Sequence, residues 1–374
     1  MRRAFCIGAA AASLGALTFG GCRAGPGSID QATAPRDADA LALPDPVFDP
    51  ANGEVLSARR WRERLDASHW VLLGERHDNR AHHAVRARML RQWTRSIDPG
   101  AARPTIVFEH FDREHRDALL EASGLVERDA GAEREGGIGL ASGIERAGGI
   151  ERAGGIDEAG LEPLLRAGGF DRRAWGWPAH AALFDAALDA ARIARARWIA
   201  ANVSREEARV LLRDAPAGSS LQGLIDRASW SPHAQSAIEE AMREGHCNML
   251  PAAALPSLVR VQRMRDAAMA AALIEAPGRA MLLAGNGHVR RDFGVPRYLG
   301  DGRRGPNAGA ASGRSTLVVG FVEREDRPAP GREMEPDPGL AKRYDLVVLS
   351  APVTRDDPCR AFLSPATPAR TPPR

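Results

Sequence analysis

Apolar residues recur along this chain in short unbroken runs, each closed by a glycine or a polar side chain. Residues 69–74 form the first clear run, ending at Gly74. Apolar runs of about four to eight residues bounded by breakers read as strands buried on both faces. Residues 104–109, 198–203, 280–285, 315–322 and 344–350 repeat the pattern. Good helix formers fill 79–96, the stretch leading through Leu119, 178–196 and 255–274. Strands that are apolar throughout and separated by helices predict an α/β fold, with a mainly parallel sheet covered by helices on both faces. In such sheets ligands bind beyond the carboxyl ends of the strands. Glu75, His77, Glu109, His110, Asn202, Asn286 and His288 all sit at or just past those ends. The topology therefore predicts that they converge.

Some segments break the pattern. Between about 124 and 160 runs a hexapeptide tandem, Ile144-Glu145-Arg146-Ala147-Gly148-Gly149 followed by Ile150-Glu151-Arg152-Ala153-Gly154-Gly155. One isoleucine per repeat cannot build a core, and the glycines raise the entropic cost of ordering. It reads as a flexible insertion into one domain spanning 51–362. Residues 301–313 form a second Gly/Arg-rich loop, and 363–374 a Pro/Arg/Thr tail predicted to be disordered. In the long helix 255–274 and just before it, Met249, Met264 and Met269 read as core more simply than as a ligand face.

The first residues add a location. Arg2-Arg3 followed by an apolar stretch from Ala4 to Phe19, too short to span a bilayer, reads as a signal peptide over 1–21. It closes on Phe19-Gly20-Gly21-Cys22, a lipobox-like end at which Cys22 would carry lipid. Residues 22–50 then read as a Pro/Ala/Asp-rich tether, so the folded part would be anchored to a membrane without crossing it. Arg23 after the cysteine favours an exported lipoprotein of the outer membrane. Of the four cysteines, Cys6 and Cys22 belong to this leader, leaving Cys247 and Cys359. In an oxidising compartment that pair reads as a disulfide, with two free thiols or a metal site as the alternative. A hydrophobic content of 44% suffices for a large core, while only two tyrosines, Tyr298 and Tyr344, leave few phenolic ligands. The net charge of +3 is spread without a basic stripe interleaved with aromatics, so nothing points to nucleic acid.

Two motifs carry chemistry. Gly74-Glu75-Arg76-His77 places a carboxylate and an imidazole two residues apart at a strand end, where they could bind a metal, exchange a proton or hold one another. Asp78 or Asn79 is the expected cap of the next helix. Gly285-Asn286-Gly287-His288 is a glycine-rich turn that delivers a second imidazole. Its glycine spacing and lack of lysine do not suit a phosphate loop.

Read in order, Leu73 to Asn79 with His82-His83, Phe108-Glu109-His110-Phe111, Trp175-Gly176-Trp177, His246 to Pro251, Gln262 to Asp266, Gly285 to His288, Gly294-Val295-Pro296 and Asp356 to Cys359 resemble the motifs of the ChaN-like haem-binding lipoproteins. The resemblance covers most of 68–360. It implies haem/iron uptake, haem held at a homodimer interface, and membership of a wider α/β group with erythromycin esterases and Tiki-type metalloproteases. Where relatives often carry a tyrosine shortly after the Trp-x-Trp motif, this chain has His180. Haem ligation by His180, His83 or Tyr298 follows as the expectation. The other function the resemblance allows is a hydrolase, with Glu75, His77, Glu109 and His288 as ligands of a divalent metal or as acid/base pairs.

Overall fold

The computed structural model describes residues 43–136, 156–214, 220–228, 230–300, 314–328, 332–355, 357 and 359–360. Its eight strands are β1 (Val47–Asp49), β2 (Glu54–Leu56), β3 (Trp70–Leu73), β4 (Thr105–Asp112), β5 (Arg197–Asn202), β6 (Ala280–Leu283), β7 (Thr316–Glu323) and β8 (Leu346–Ser350). They form one sheet in the order β2-β1-β8-β7-β3-β6-β4-β5. The pairs from β8 through to β5 are parallel. Only the edge hairpin β1-β2 runs antiparallel. All six apolar runs read from the sequence are strands of the parallel portion.

Twelve α-helices are described: α1 (Ala58–Asp66), α2 (Arg80–Arg95), α3 (Arg116–Gly136), α4 (Glu158–Ala167), α5 (Ala181–Ala194), α6 (Arg205–Asp214), α7 (Ser220–Arg227), α8 (Pro232–Gly245), α9 (Leu255–Ile274), α10 (Asn286–Val289), α11 (Pro296–Leu299) and α12 (Pro338–Ala341). Side chains alternate across each strand, so each face of the sheet has its own apolar layer. Val71, Leu73, Ile106 and Phe108 pack with Leu90, Trp93, Phe184 and Leu188 of α2 and α5. Trp70, Leu72, Val107 and Leu282 face the other way, onto Met269 and Leu273 of α9. Met264 and Met269 are buried and Met249 is exposed. Among the described residues no helix is long and apolar enough to cross a membrane.

Two boundaries differ from the sequence reading. Strand β1 lies inside the stretch read as tether, with Phe48 fully buried and paired to Val347. Val47 and Phe48 are too short a run to register any period, and the partner strand supplies what the local pattern lacks. The stretch read as an insertion is narrower: α3 continues to Gly136 and α4 starts at Glu158, burying Leu161, Leu164 and Leu165 in the core. The hexapeptide tandem lies outside the described residues, as do Cys22, the signal stretch, the 301–313 loop and the tail. Cys247, just after α8, is disulfide-bonded to Cys359 across a separation of 112 residues, with Cα atoms 5.6 Å apart.

Candidate functional site

Strands β3, β6 and β4 lie side by side at the centre of the sheet, so their carboxyl ends open onto one crevice. Register pairs Leu73 with Leu283 and Leu283 with Phe108, which sets the three strand ends level. The residues that follow, Glu75 and His77 after β3, Glu109 and His110 in β4, and His288 after β6, come together here. The β4-β5 register shifts between Phe108 and Asp112, the place where Glu109 and His110 turn their side chains to different parts of the crevice.

The two motif glycines serve by being small. Neither has a positive φ. A Cβ on Gly74 would lie 2.3 Å from Asn286 Oδ1, and one on Gly285 would lie 2.8 Å from His77 Nε2. The sequence reads the second motif as a glycine-rich turn; the structure shows that both glycines permit close approach between the two motif loops. Asn79 caps α2, accepting from the Ala81 amide at 2.9 Å, and its Nδ2 donates to Glu323 at 2.7 Å. His82 fixes the same loop, because its Nδ1 accepts from the Arg76 amide at 3.0 Å and its Nε2 lies 2.7 Å from Ser350 Oγ.

Glu75 is the hub of the deeper cluster. Its Oε1 lies 2.8 Å from His77 Nδ1, 3.3 Å from His110 Nε2 and 3.7 Å from His180 Nε2. Its Oε2 meets the Arg86 guanidinium and, at 3.0 Å, His83 Nδ1. His83 and Arg86 are three residues apart on α2, which puts both on the face turned to the crevice. The two residues share complete burial with His110 and His180, whereas the His77 side chain is 42% exposed. Burial pushes the His83 imidazole down to about 4 and that of His180 down to about 2, and moves His110 well below its usual range. These rings are therefore neutral and keep a lone pair. Burial also lowers Arg86 to about 9, where it stays charged at neutral pH. Trp175 closes the cluster from outside, its ring 5.0 Å from that of His77 and 4.7 Å from that of His110.

A second cluster adjoins it through Glu109. His288 Nε2 is 3.2 Å from Glu109 Oε1, and its Nδ1 is 2.6 Å from Asp266 Oδ1 on α9. Burial works against a charge on His288, but the flanking carboxylates of Glu109 and Asp266 outweigh it and raise the imidazolium to about 10. Glu109 is desolvated too, yet His288, His77 and the Gly285 amide at 2.6 Å hold it well below its ordinary value. Burial lifts Asp266 to about 6, still ionised at neutral pH. At neutral pH the trio is a carboxylate–imidazolium–carboxylate relay. His77 Nε2, 3.7 Å from Glu109 Oε1, links the two clusters.

The family described as haem-binding uptake, Tiki superfamily, ChaN matches residues 61–299. The chain belongs to this ChaN family. No curated protein matches the sequence. A solved structure of cofacial heme binding to ChaN of Campylobacter jejuni is similar over 81% of this chain and 95% of that one, at 15% identity and a TM-score of 0.53. The fold is shared. An erythromycin esterase, EreC, in an open conformation aligns over 83% of this chain and 98% of that one, at 10% identity and a TM-score of 0.40.

Within this ChaN-family chain the candidates from the sequence sit in distinct places. Glu75, His77, Glu109 and His288 share the crevice, but as two linked clusters. His83 faces Glu75, while its neighbour His82 faces Ser350 and the Phe321 ring. His180 immediately precedes α5, buried at 0% behind Trp175, so it has no exposed nitrogen to offer a surface ligand. Tyr298, on α11, is buried in the α9-side core, and its phenol is shifted upward by that burial. Neither His180 nor Tyr298 is placed to meet a porphyrin at the surface, because burial closes off both. Three further participants complete the clusters: Arg86, His110 and Asp266. Arg86 had only its helical spacing from His83 as a sequence signal, whereas His110 lay at a strand end and in the Phe108 to Phe111 motif, and Asp266 in the Gln262 to Asp266 motif.

Proposed function

We propose that this protein binds haem at the mouth of the crevice through His77, as an exported, lipid-anchored lipoprotein that takes part in haem/iron uptake. The observation that carries the reading is the exposure of His77. It is the one imidazole of the Glu75 cluster that solvent reaches, and family membership supplies the ligand class. Haem iron accepts a neutral imidazole as axial ligand. Here His77 Nδ1 lies 2.8 Å from the Glu75 Oε1 carboxylate oxygen, which orients the partly exposed ring in the mouth of the crevice. Trp175 beside that ring offers an apolar flank for a porphyrin edge. Bound haem would supply the iron that uptake requires. Anchoring through Cys22, an outer-membrane location and a homodimer belong to the same proposal. The Cys247–Cys359 disulfide supports an oxidising compartment.

Titrating the purified, tag-free protein with hemin tests it. A saturable Soret shift is expected, lost in His77→Ala and retained in His180→Ala. Absence of a saturable shift in the unsubstituted protein overturns the reading. Retention in His77→Ala with loss in His180→Ala would move the ligand inward, against the burial argument.

The hydrolase alternative draws less support from the geometry. His288 is held protonated by two carboxylates, so it cannot accept a proton from water at neutral pH. Ester and peptide screens at neutral pH are expected to give equal, background-level rates for unsubstituted protein and His288→Gln. A substrate turned over only by the former revives that alternative.

A further inference from the structure

Behind His77, the structure leaves buried imidazole nitrogens without a hydrogen-bond partner. His180 Nδ1 and Nε2 and His110 Nδ1 have no hydrogen-bond partner, although both side chains are fully buried. An unsatisfied buried polar atom costs roughly 1–3 kcal/mol, so several gathered at one point need a reason. One of them, His180 Nε2, lies 3.7 Å from Glu75 Oε1, the same oxygen on which His110 Nε2 at 3.3 Å and His77 Nδ1 at 2.8 Å converge. One ligand atom each from Glu75, His77, His110 and His180 lies within 4.8 Å of all the others.

We infer that Glu75, His77, His110 and His180 form a binding site for a single divalent transition-metal ion of the zinc type, a different set from the four strand-end residues the motifs singled out. The donor set is three imidazole nitrogens and one carboxylate oxygen. That chemistry suits Zn2+ or Co2+ and not the oxygen-seeking Ca2+ or Mg2+. Tetrahedral bonds of about 2.0–2.1 Å place ligand atoms roughly 3.4 Å apart, so a bound ion would draw atoms now within 4.8 Å of one another closer by rotation of the side chains. The ligands come from the loop after β3, from β4 and from the residue just before α5, elements already packed in the core. Outside the four, the Arg86 guanidinium holds Glu75 Oε2, which aims Oε1 at the three imidazoles. Because His77 alone reaches solvent, it is the ligand that can exchange, and the site goes beyond the haem reading without depending on it.

The test is a Co2+ titration of the purified, haem-free protein after dialysis against chelator, read in the visible d–d bands. One Co2+ per chain with bands of tetrahedral intensity is expected, bleached by Zn2+. Binding should weaken at least tenfold in His110→Gln and in His180→Gln and persist in His288→Gln. His180→Cys keeps the proposal testable even if the glutamine variants unfold, since its thiolate should add an intense sulfur-to-cobalt charge-transfer band. A Soret shift that survives in His180→Gln while the Co2+ bands vanish separates this site from haem binding. The proposal is overturned by weak octahedral bands indifferent to His180, by loss in His288→Gln in place of His180→Gln, or by a His180→Cys variant without the charge-transfer band.

Discussion

Replacing Arg86 with methionine is expected to destabilise the protein by about 3–5 kcal/mol, because it leaves the Glu75 carboxylate buried without its cation. Both side chains are inaccessible to solvent, and the pair is made inside the core and not at a screened surface. The three imidazoles on Glu75 Oε1 and the one on Oε2 are no substitute. Burial keeps the His83, His110 and His180 rings neutral, so they offer dipoles where a charge is required. The effect should be specific to the unpaired carboxylate and not to lost packing. Glu75→Gln combined with Arg86→Met should therefore be more stable than Arg86→Met alone, a coupling that a double-mutant cycle reads directly. Urea unfolding of the metal-free protein measures all four corners. A single-variant cost below about 1 kcal/mol, the range of exposed ion pairs, would show that Arg86 is not the counter-ion.

The second large effect is acid lability. His82 and His83 are each lowered by burial to about 4 from an unfolded value near 6.5, and His180 to about 2. A depressed folded value means that the unfolded chain binds protons first. The stabilisation is thus full above about pH 6.5 and is lost as pH falls toward the folded values. His82 and His83 each remove about 3 kcal/mol by pH 4, at 1.36 kcal/mol per pKa unit, and His110 and His180 act in the same direction. Asp266, raised to about 6, opposes the trend by one group. His288, raised to about 10, keeps its full stabilisation below about pH 6.5 and so does not change in acid; that contribution is lost as pH rises from about 6.5 toward 10. Domains of this kind have about 5–15 kcal/mol in hand, so in chelator the fold should collapse cooperatively near about pH 5. Circular dichroism against pH, with His82→Gln as the variant shifted to lower pH, checks it. A midpoint below pH 3 would mean that these imidazoles are protonated in the folded state.

These two predictions rest on residues of unequal visibility in the sequence. The parallel sheet was legible because a strand buried on both faces must be apolar throughout, and a run such as Trp70 to Leu73 shows that locally. Glu75, Glu109 and His288 were legible because polar residues at strand ends are conspicuous against such runs. The edge strand β1 was not, since two apolar residues carry no period until β8 pairs with them. Arg86 read as one arginine among many in a helix, for its meaning depends on which face of α2 the sheet covers.

The sequence by itself determined the fold class, the crevice at the strand ends and the pairing of Cys247 with Cys359 as the simplest use of two cysteines. It could not decide which imidazoles share a carboxylate. That depends on the order of strands across the sheet, which brings β6 between β3 and β4, and on which face of α2 and which end of α5 lie against them. Only the tertiary structure set His77 at the surface and His180 beneath it, divided the motif residues into two clusters, and gave Gly74 and Gly285 their role as points of contact. The physical reason is that hydrophobic periodicity is a local property of the chain, while burial, charge pairing and the state of an imidazole depend on neighbours distant in sequence.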